Sequence, residues 1–311
     1  MSNTVIAAPP AHHQPDNQTV RGVLLFIAFA AYAPAIDVFG KLATEEIPAA
    51  EITFARFLLQ TILLAPIVLW RRAFARPTAR DAILHAARGV LMAIATVFFF
   101  AALKHMPIAD AISIFFVEPF ILIMLGAWLL GEKVGWRRYA ACAVGFVGAL
   151  IVIQPSYEEL GWTAALPLGT ALTFAFYMIL TRHLAPRSDP FAMQTYAGIA
   201  GAVFMGAVLW IGEGTGDPTF DPVWPSPWFM WMLLGVGVVA TSSHLLIVFA
   251  SRHAPASVLA PLQYLEIVAA TIYGYLIFGD FMSADKWLGV AIIIGSGLFI
   301  FWRERRLSQA G

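Results

Sequence analysis

Two glutamates stand where a chain seldom places them. Glu266, in QYLEIVAA, lies inside an apolar run from Ala256 to Phe278, and Glu118, in IFFVEPFI, lies at the matching point of a second such run 148 residues upstream. Runs of this length match the hydrocarbon thickness of a bilayer. An acidic residue at that depth costs about 2.5–3.5 kcal/mol even on the gentlest insertion scale, so it is expected to face a bundle interior or a watery cavity. There it can accept hydrogen bonds from a solute or exchange a proton. The plainer reading makes both glutamates hydrogen-bonded packing groups that tie the chain together. Glu266 has Gln263 at i−3 and Tyr273 at i+7, a polar helical stripe suited to a solute with several donors. Glu118 has Phe115 at i−3, Leu122 at i+4 and Pro119 next to it, so it is expected to matter more for helix shape or proton binding.

Other polar residues in apolar runs extend the set. Asp37 and Lys41 are one turn apart, and Thr53, Arg56 and Gln60 share a face, which suggests a gate or an Asp37–Arg56 ion pair in the outward part of the first two helices. Tyr177 and His244 offer rings that can stack on a flat solute. Thr170, Thr173 and Thr241 are expected to bond carbonyls of their own helices, and Arg88 to reach back to the membrane surface. Gly145 with Gly148, and Gly198 with Gly201, allow close helix packing. His105 and His253 head short loops beside prolines and read as turn markers.

Several chemistries are not encoded. The chain has no HExxH pair, no GxSxG elbow and no phosphate-binding loop, so it does not read as an enzyme. One cysteine, Cys142, excludes an intramolecular disulfide framework or a cysteine-rich metal site, and neither a metal nor a cofactor is expected. No basic cluster with interleaved aromatics points to nucleic acid.

The elements that must carry these residues follow from composition. Of 311 residues, 60% are apolar and 12% charged, about half the charge usual in soluble domains. Apolar runs predict ten helices, at 22–41, 51–70, 82–103, 108–131, 136–153, 162–182, 190–212, 227–250, 256–278 and 286–302. All ten tryptophans fall at or near the ends of these runs, where amphipathic rings sit at the lipid headgroups. Fourteen of the nineteen Lys and Arg residues fall in alternate loops, among them Arg71, Arg72, Arg76 and Arg80, which predicts both termini on the cytoplasmic side. Residues 1–21 and 303–311 read as cytoplasmic tails, the first of them disordered.

The run ALKHMPIADAISIFFVEPFILIMLGAWLLGE aligns without a gap on ASRHAPASVLAPLQYLEIVAATIYGYLIFGD, matching His105 with His253, Pro107 with Pro255, Glu118 with Glu266, Gly131 with Gly279 and Glu132 with Asp280. Two five-helix units result, 22–153 and 162–302. Because five is odd, the second is expected to enter the membrane upside down. The predicted fold is an all-α polytopic membrane protein of ten transmembrane helices in two inverted repeats, the architecture of secondary transporters with a midplane site between repeats.

The segments closing the halves, EPFILIMLGAWLLGEKVGWRRYAACAVGFVGALIVIQP and YLEIVAATIYGYLIFGDFMSADKWLGVAIIIGSGLFIF, resemble the drug/metabolite transporter superfamily with paired EamA domains. DVFGK at 37–41, ARF at 55–57 and YLE at 264–266 are similar to its branch of bacterial cofactor importers, which includes S-adenosylmethionine and riboflavin transporters. The resemblance implies uptake of a medium-sized organic solute across the bacterial inner membrane, with riboflavin ahead of S-adenosylmethionine. Export of amino acids or drugs by the same fold is the alternative. A proton or another coupling ion is a candidate partner, and the oligomeric state is left open.

Overall fold

Proline decides where many of the helices begin. Pro48 and Pro107 stand at the N-caps of the second and fourth helices, and Pro190 and Pro227 occupy the first residue of the seventh and eighth. There the missing N–H would have had no intrahelical partner. Asp189 completes the seventh start by accepting from the amides of Phe191 and Ala192, at 2.9 and 3.2 Å. The computed structural model describes residues 17–71, 77–129, 135–254 and 256–310. Residues 1–16 of the expected tail, Arg72, Arg76, Gly131, Glu132, Lys133 and Pro255 lie outside them.

Every regular element among the described residues is helical. Among these residues nine helices are long and apolar enough to cross a membrane, and a tenth apolar stretch, Tyr139–Ile153, is shorter. It lies within the fifth helix, Trp136–Leu160. The intact members are Ala49–Trp70 (second), Ala79–Leu103 (third), Leu166–Leu184 (sixth), Pro190–Gly212 (seventh), Pro227–His253 (eighth) and Ala284–Ala310 (tenth). Three ends differ from expectation by five residues or more. The first helix starts at Asn17, inside the expected tail, the fifth continues past 153 to Leu160, and the tenth runs through residues 303–310. Its aromatic girdle agrees with the membrane reading: Trp70, Trp128, Trp162, Trp210 and Trp224 all project outward.

Three spans are broken rather than continuous. The first divides at Ala33–Pro34 into Asn17–Tyr32 and Ala35–Ala43. The fourth divides into Ile108–Phe115 and Glu118–Leu129, because Pro119 cannot donate and its ring crowds the carbonyl four residues back, that of Phe115. The ninth runs as a short α-turn Ala256–Leu259, a 3₁₀ stretch Ala260–Tyr264 holding Pro261, an α-segment Leu265–Tyr273 and a π-turn Gly274–Phe278. Uninterrupted helices over 108–131 and 256–278 are therefore corrected: in each case regular helix resumes at or just before the glutamate. Gly279 then closes the ninth span in the left-handed region, at φ +73°, which aims the chain into Asp280.

Helices pack as neighbours with small residues at the contacts. The fifth lies along the tenth, the second along the seventh, the third against the sixth and seventh, and the eighth against the first and second. At Gly148 a β-carbon would come within 2.8 Å of the Gly289 carbonyl, and one at Gly289 within 2.6 Å of the Gly148 carbonyl, so two backbones touch. Gly148→Ala should therefore force the fifth and tenth helices apart, at a cost of about 1–3 kcal/mol, and lower the thermal transition of the detergent-solubilised protein. Gly295→Ala, where nothing lies within 4 Å, should leave it unchanged or raise it through better helix propensity. Equal melting of the two variants would count against this contact.

Candidate functional site

The broken segments border a cavity of about 400 Å³ in the middle of the bundle. Its wall takes residues from every span but the fifth and tenth. Along the first helix the wall extends from Phe26 to Asp37, about 16 Å at 1.5 Å per residue. Phe26, Phe29, Phe99, Phe100, Phe115, Phe116 and Phe174 supply aromatic surface, and Asp37, Arg56, Glu118, Gln194, Gln263, Glu266 and His244 the polar groups. Phe116 and Tyr264, which are 148 residues apart and so occupy equivalent positions in the internal repeat, face each other with ring centroids 5.3 Å apart. Both sit where their helix is interrupted.

Seven of the nine residues singled out from the sequence meet in this cavity: Glu266, Gln263, Glu118, Tyr177, His244, Asp37 and Arg56. Tyr273 does not. It shares a helical face with Glu266 but lies seven residues, about 10 Å, further on, and its hydroxyl donates to the Ala31 carbonyl of the first helix at 3.0 Å. Lys41 also leaves the cavity. Its Nζ donates to Asp280 Oδ2 at 2.8 Å and to the Met106 carbonyl at 3.1 Å, and lies 4.7 Å from the centre of the Phe278 ring.

The polar groups of the wall are unevenly answered. His244 Nδ1 donates to the Ala240 carbonyl at 2.7 Å, which leaves its other ring nitrogen free of that bond. Arg56 Nη1 donates to Thr96, whose own hydroxyl donates to the Met92 carbonyl at 2.8 Å. No ion pair joins Asp37 to Arg56 among the described residues, although their charges are near enough to act on one another, as are those of Asp37 and Glu266. Glu118 Oε1 is enclosed and has no hydrogen-bond partner. Thr170 donates to the Ala95 and Leu166 carbonyls, Thr173 to that of Gly169 and Thr241 to that of Gly237, so these hydroxyls serve the helices.

Sequence reasoning passed over two features. Arg88, expected at the membrane surface, is instead 1% exposed. It turns into the bundle toward the sixth and seventh helices rather than back along its own. Nε donates to Thr181 at 2.7 Å, Nη1 to the Met193 carbonyl at 2.7 Å, and Nη2 to the Tyr177 hydroxyl at 2.6 Å and Gln194 Oε1 at 3.2 Å. A planar, weakly hydrated guanidinium can be buried when its fork is filled in this way. Arg88 thus holds two cavity residues, Tyr177 and Gln194, in place. The polar partners Thr181 and Gln194 were the available signal, but they belong to different helices. The second feature is Asp110, a lone acid in the first turn of the fourth helix, which accepts from Lys286 of the tenth helix at 2.6 Å. With Lys41–Asp280 it forms two ion pairs, one turn beyond Asp37 at the same end of the bundle, each joining the first half of the chain to the second.

Arg88→Lys should keep the charge but lose the fork, leaving two or more buried acceptors unanswered at about 1–3 kcal/mol each, so the protein should melt lower in detergent; wild-type melting would rule out the bracing role. The ion pairs can be tested with a cysteine at Ile36, a cavity residue, in a Cys142→Ala background. Lys41→Asp or Asp280→Lys alone should raise its labelling by an impermeant thiol reagent several-fold, and the double reversal should return it to baseline. Indifference to all three would mean that these pairs do not close the cavity.

Comparison with known proteins agrees with this architecture. A solved crystal structure superimposes with a TM-score of 0.63 at 18% identity, covering 93% of this chain and 99% of that one, which is a likeness of fold. The S-adenosylmethionine uptake transporter of Rickettsia felis is 26% identical over 288 residues, 92% of this chain and 94% of its own length. The riboflavin transporter of Rhizobium johnstonii is 30% identical over 222 residues, 71% of each chain. A pseudopaline exporter of Pseudomonas aeruginosa is 27% identical over 275 residues, 88% of this chain and 93% of that one. The family model described as EamA-like transporter family matches twice, at residues 20–154 and 161–302. A multi-pass helical protein with two such copies around one central cavity is a transporter of small molecules and not an enzyme, and the chain belongs to the EamA-like transporter family.

Proposed function

We propose that this protein imports a flat nitrogen heterocycle carrying a ribose-derived chain, riboflavin first, across the bacterial inner membrane. The observation that carries the reading is the cavity itself: seven phenylalanines beside separated polar groups, in a volume of about 400 Å³. Aromatic walls suit a planar ring system, while Glu266, Gln263 and His244 suit hydroxyls and ring nitrogens. S-adenosylmethionine is the second reading. Three carboxylates, Asp37, Glu118 and Glu266, line the cavity against one guanidinium, Arg56, an excess that favours a solute with cationic groups. Names of similar proteins support both readings, and the exporter among them keeps the opposite direction in view.

The transport cycle we infer uses two halves inverted with respect to each other, both termini being cytoplasmic. The contact between the equivalent residues Phe116 and Tyr264 supports a pseudo-two-fold axis near the cavity floor. In that orientation Lys41–Asp280 and Lys286–Asp110 close the outer end, and the cavity extends the other way, to Gln194 near the cytoplasmic start of the seventh helix. Glu266 then contacts the solute, and Glu118, with an unanswered oxygen, is the candidate for carrying a coupled proton.

Expression in a strain auxotrophic for riboflavin should permit growth at low external vitamin, and Glu266→Gln should reduce uptake at least tenfold. Labelled S-adenosylmethionine uptake runs in parallel. Accumulation of that solute without rescue of growth would replace the first choice by the second, and accumulation into the lumen of everted vesicles without uptake by intact cells would reverse the direction. Indifference of uptake to collapse of the proton gradient would exclude proton coupling.

A further inference from the structure

Arg56 and Arg88 are both buried in the bundle, at 6% and 1% exposure, yet they are treated differently. Each of the three Arg88 nitrogens has an acceptor. On Arg56 only Nη1 does, from Thr96, while Nε and Nη2 have none among the described residues. Nε is enclosed by protein, so Nη2 is the donor left to face a guest in the cavity. Thr96 keeps this group oriented, since its own proton is spent on the Met92 carbonyl and its oxygen is left to accept. The Arg56 side chain also lies against its neighbour Phe57, with the guanidinium carbon 5.2 Å from the ring centre.

A buried cation of this kind is normally answered by a carboxylate. Asp37 shares the cavity and its charge acts on Arg56, but it does not pair with it. Both groups therefore confront the cavity with their capacity unused. A donor that faces a cavity without a protein acceptor is answered when a ligand supplies one.

We propose that Arg56 is an acceptor-binding subsite: its Nη2 donates to a carboxylate or a ring carbonyl of the solute, while Asp37 and Glu266 face that solute's donor or cationic part. This rests on the reading of the cavity as the solute site, and it adds a chemical requirement that holds for both candidate solutes. S-Adenosylmethionine carries a carboxylate, and the pyrimidine ring of riboflavin carries two carbonyl oxygens. A lysine in place of Arg56 retains the charge but not the planar fork, so it is better tolerated with a carboxylate than with ring carbonyls.

The test is equilibrium binding to the purified full-length protein in detergent, with riboflavin followed by its fluorescence, and with labelled S-adenosylmethionine and its decarboxylated form. Wild type, Arg56→Lys and Arg56→Gln are compared, each with its melting curve. Whichever solute wild type binds, Arg56→Gln should weaken it tenfold or more. If that solute is S-adenosylmethionine, the decarboxylated form should bind wild type at least tenfold more weakly and should not distinguish wild type from Arg56→Gln. Binding by folded Arg56→Gln within twofold of wild type would overturn the proposal. If Arg56→Gln does not fold, Arg56→Lys decides, with a loss of threefold or more supporting the subsite and unchanged affinity overturning it. Should wild type bind neither solute, the substrate reading fails by itself, and thermal shifts with amino acids and their amides decide the subsite. Stabilisation by the acids that is absent from the amides and from the Arg56 variant sustains it, and no such difference removes it.

Discussion

An apolar surrounding does not leave a charge alone, and the organisation of this protein follows from how each interior charge is answered. Water is not available inside the bundle, so a buried ion needs an opposite charge, a full set of hydrogen bonds or a wet cavity. All three answers occur. Arg88 is satisfied by hydrogen bonds to two helices, Lys41 and Lys286 by carboxylates across the two halves, and Asp37, Glu266 and, apart from its bond to Thr96, Arg56 by sharing a cavity. The third group is incomplete without a guest. That incompleteness distinguishes a binding site from a structural polar network.

Backbone geometry obeys the same rule. A break in a membrane helix exposes N–H and C=O groups that lipid cannot satisfy, so breaks belong where protein or a cavity surrounds them. Pro119 and Pro261 interrupt the fourth and ninth spans next to the cavity residues Glu118 and Gln263. The interruption also turns the chain so that Glu118 and Glu266 follow it at once. A proline and an acid close together in an apolar run therefore form one device: the first re-aims the helix, and the second uses the space that is opened.

Much of this was readable from the order of residues. Apolar runs gave the helices because their period and length answer to one local constraint, the bilayer, and the 148-residue offset paired Glu118 with Glu266 because acids and prolines are rare enough in such runs to align on. Seven of the nine proposed site residues share the cavity for the same reason: polar groups in lipid-length helices have few other places to go. What the sequence hid was pairing between distant segments. Tyr273 has the helical phase of Glu266 but not its height, and phase alone does not report height. Lys41 was weighed beside Asp37 and Arg56, its neighbours along the chain, whereas its partner Asp280 lies 239 residues away. Arg88 was read by its distance from a helix end, and nothing along one helix tells that Thr181, Tyr177 and Gln194 converge on it.

The contacts between halves differ in kind according to position, and this bears on how such a molecule moves. At one end they are ion pairs, directional and short, at 2.6 and 2.8 Å. In the middle, Phe116 meets Tyr264 with ring planes tilted by 41°, an apolar contact that holds no charge pair to break. Where Gly148 meets Gly289, the fifth and tenth helices touch along their backbones and take no part in the cavity wall. A hinge needs a rigid seam, a compliant centre and a latch that either holds or releases. In the cycle proposed above, the glycine seam, the aromatic pair and the ion pairs take those three parts in that order. Opening the latch would cost most at Lys286–Asp110, whose carboxylate is buried and would be left uncompensated, and less at the more exposed Lys41–Asp280 pair, while the seam and the centre keep the halves together.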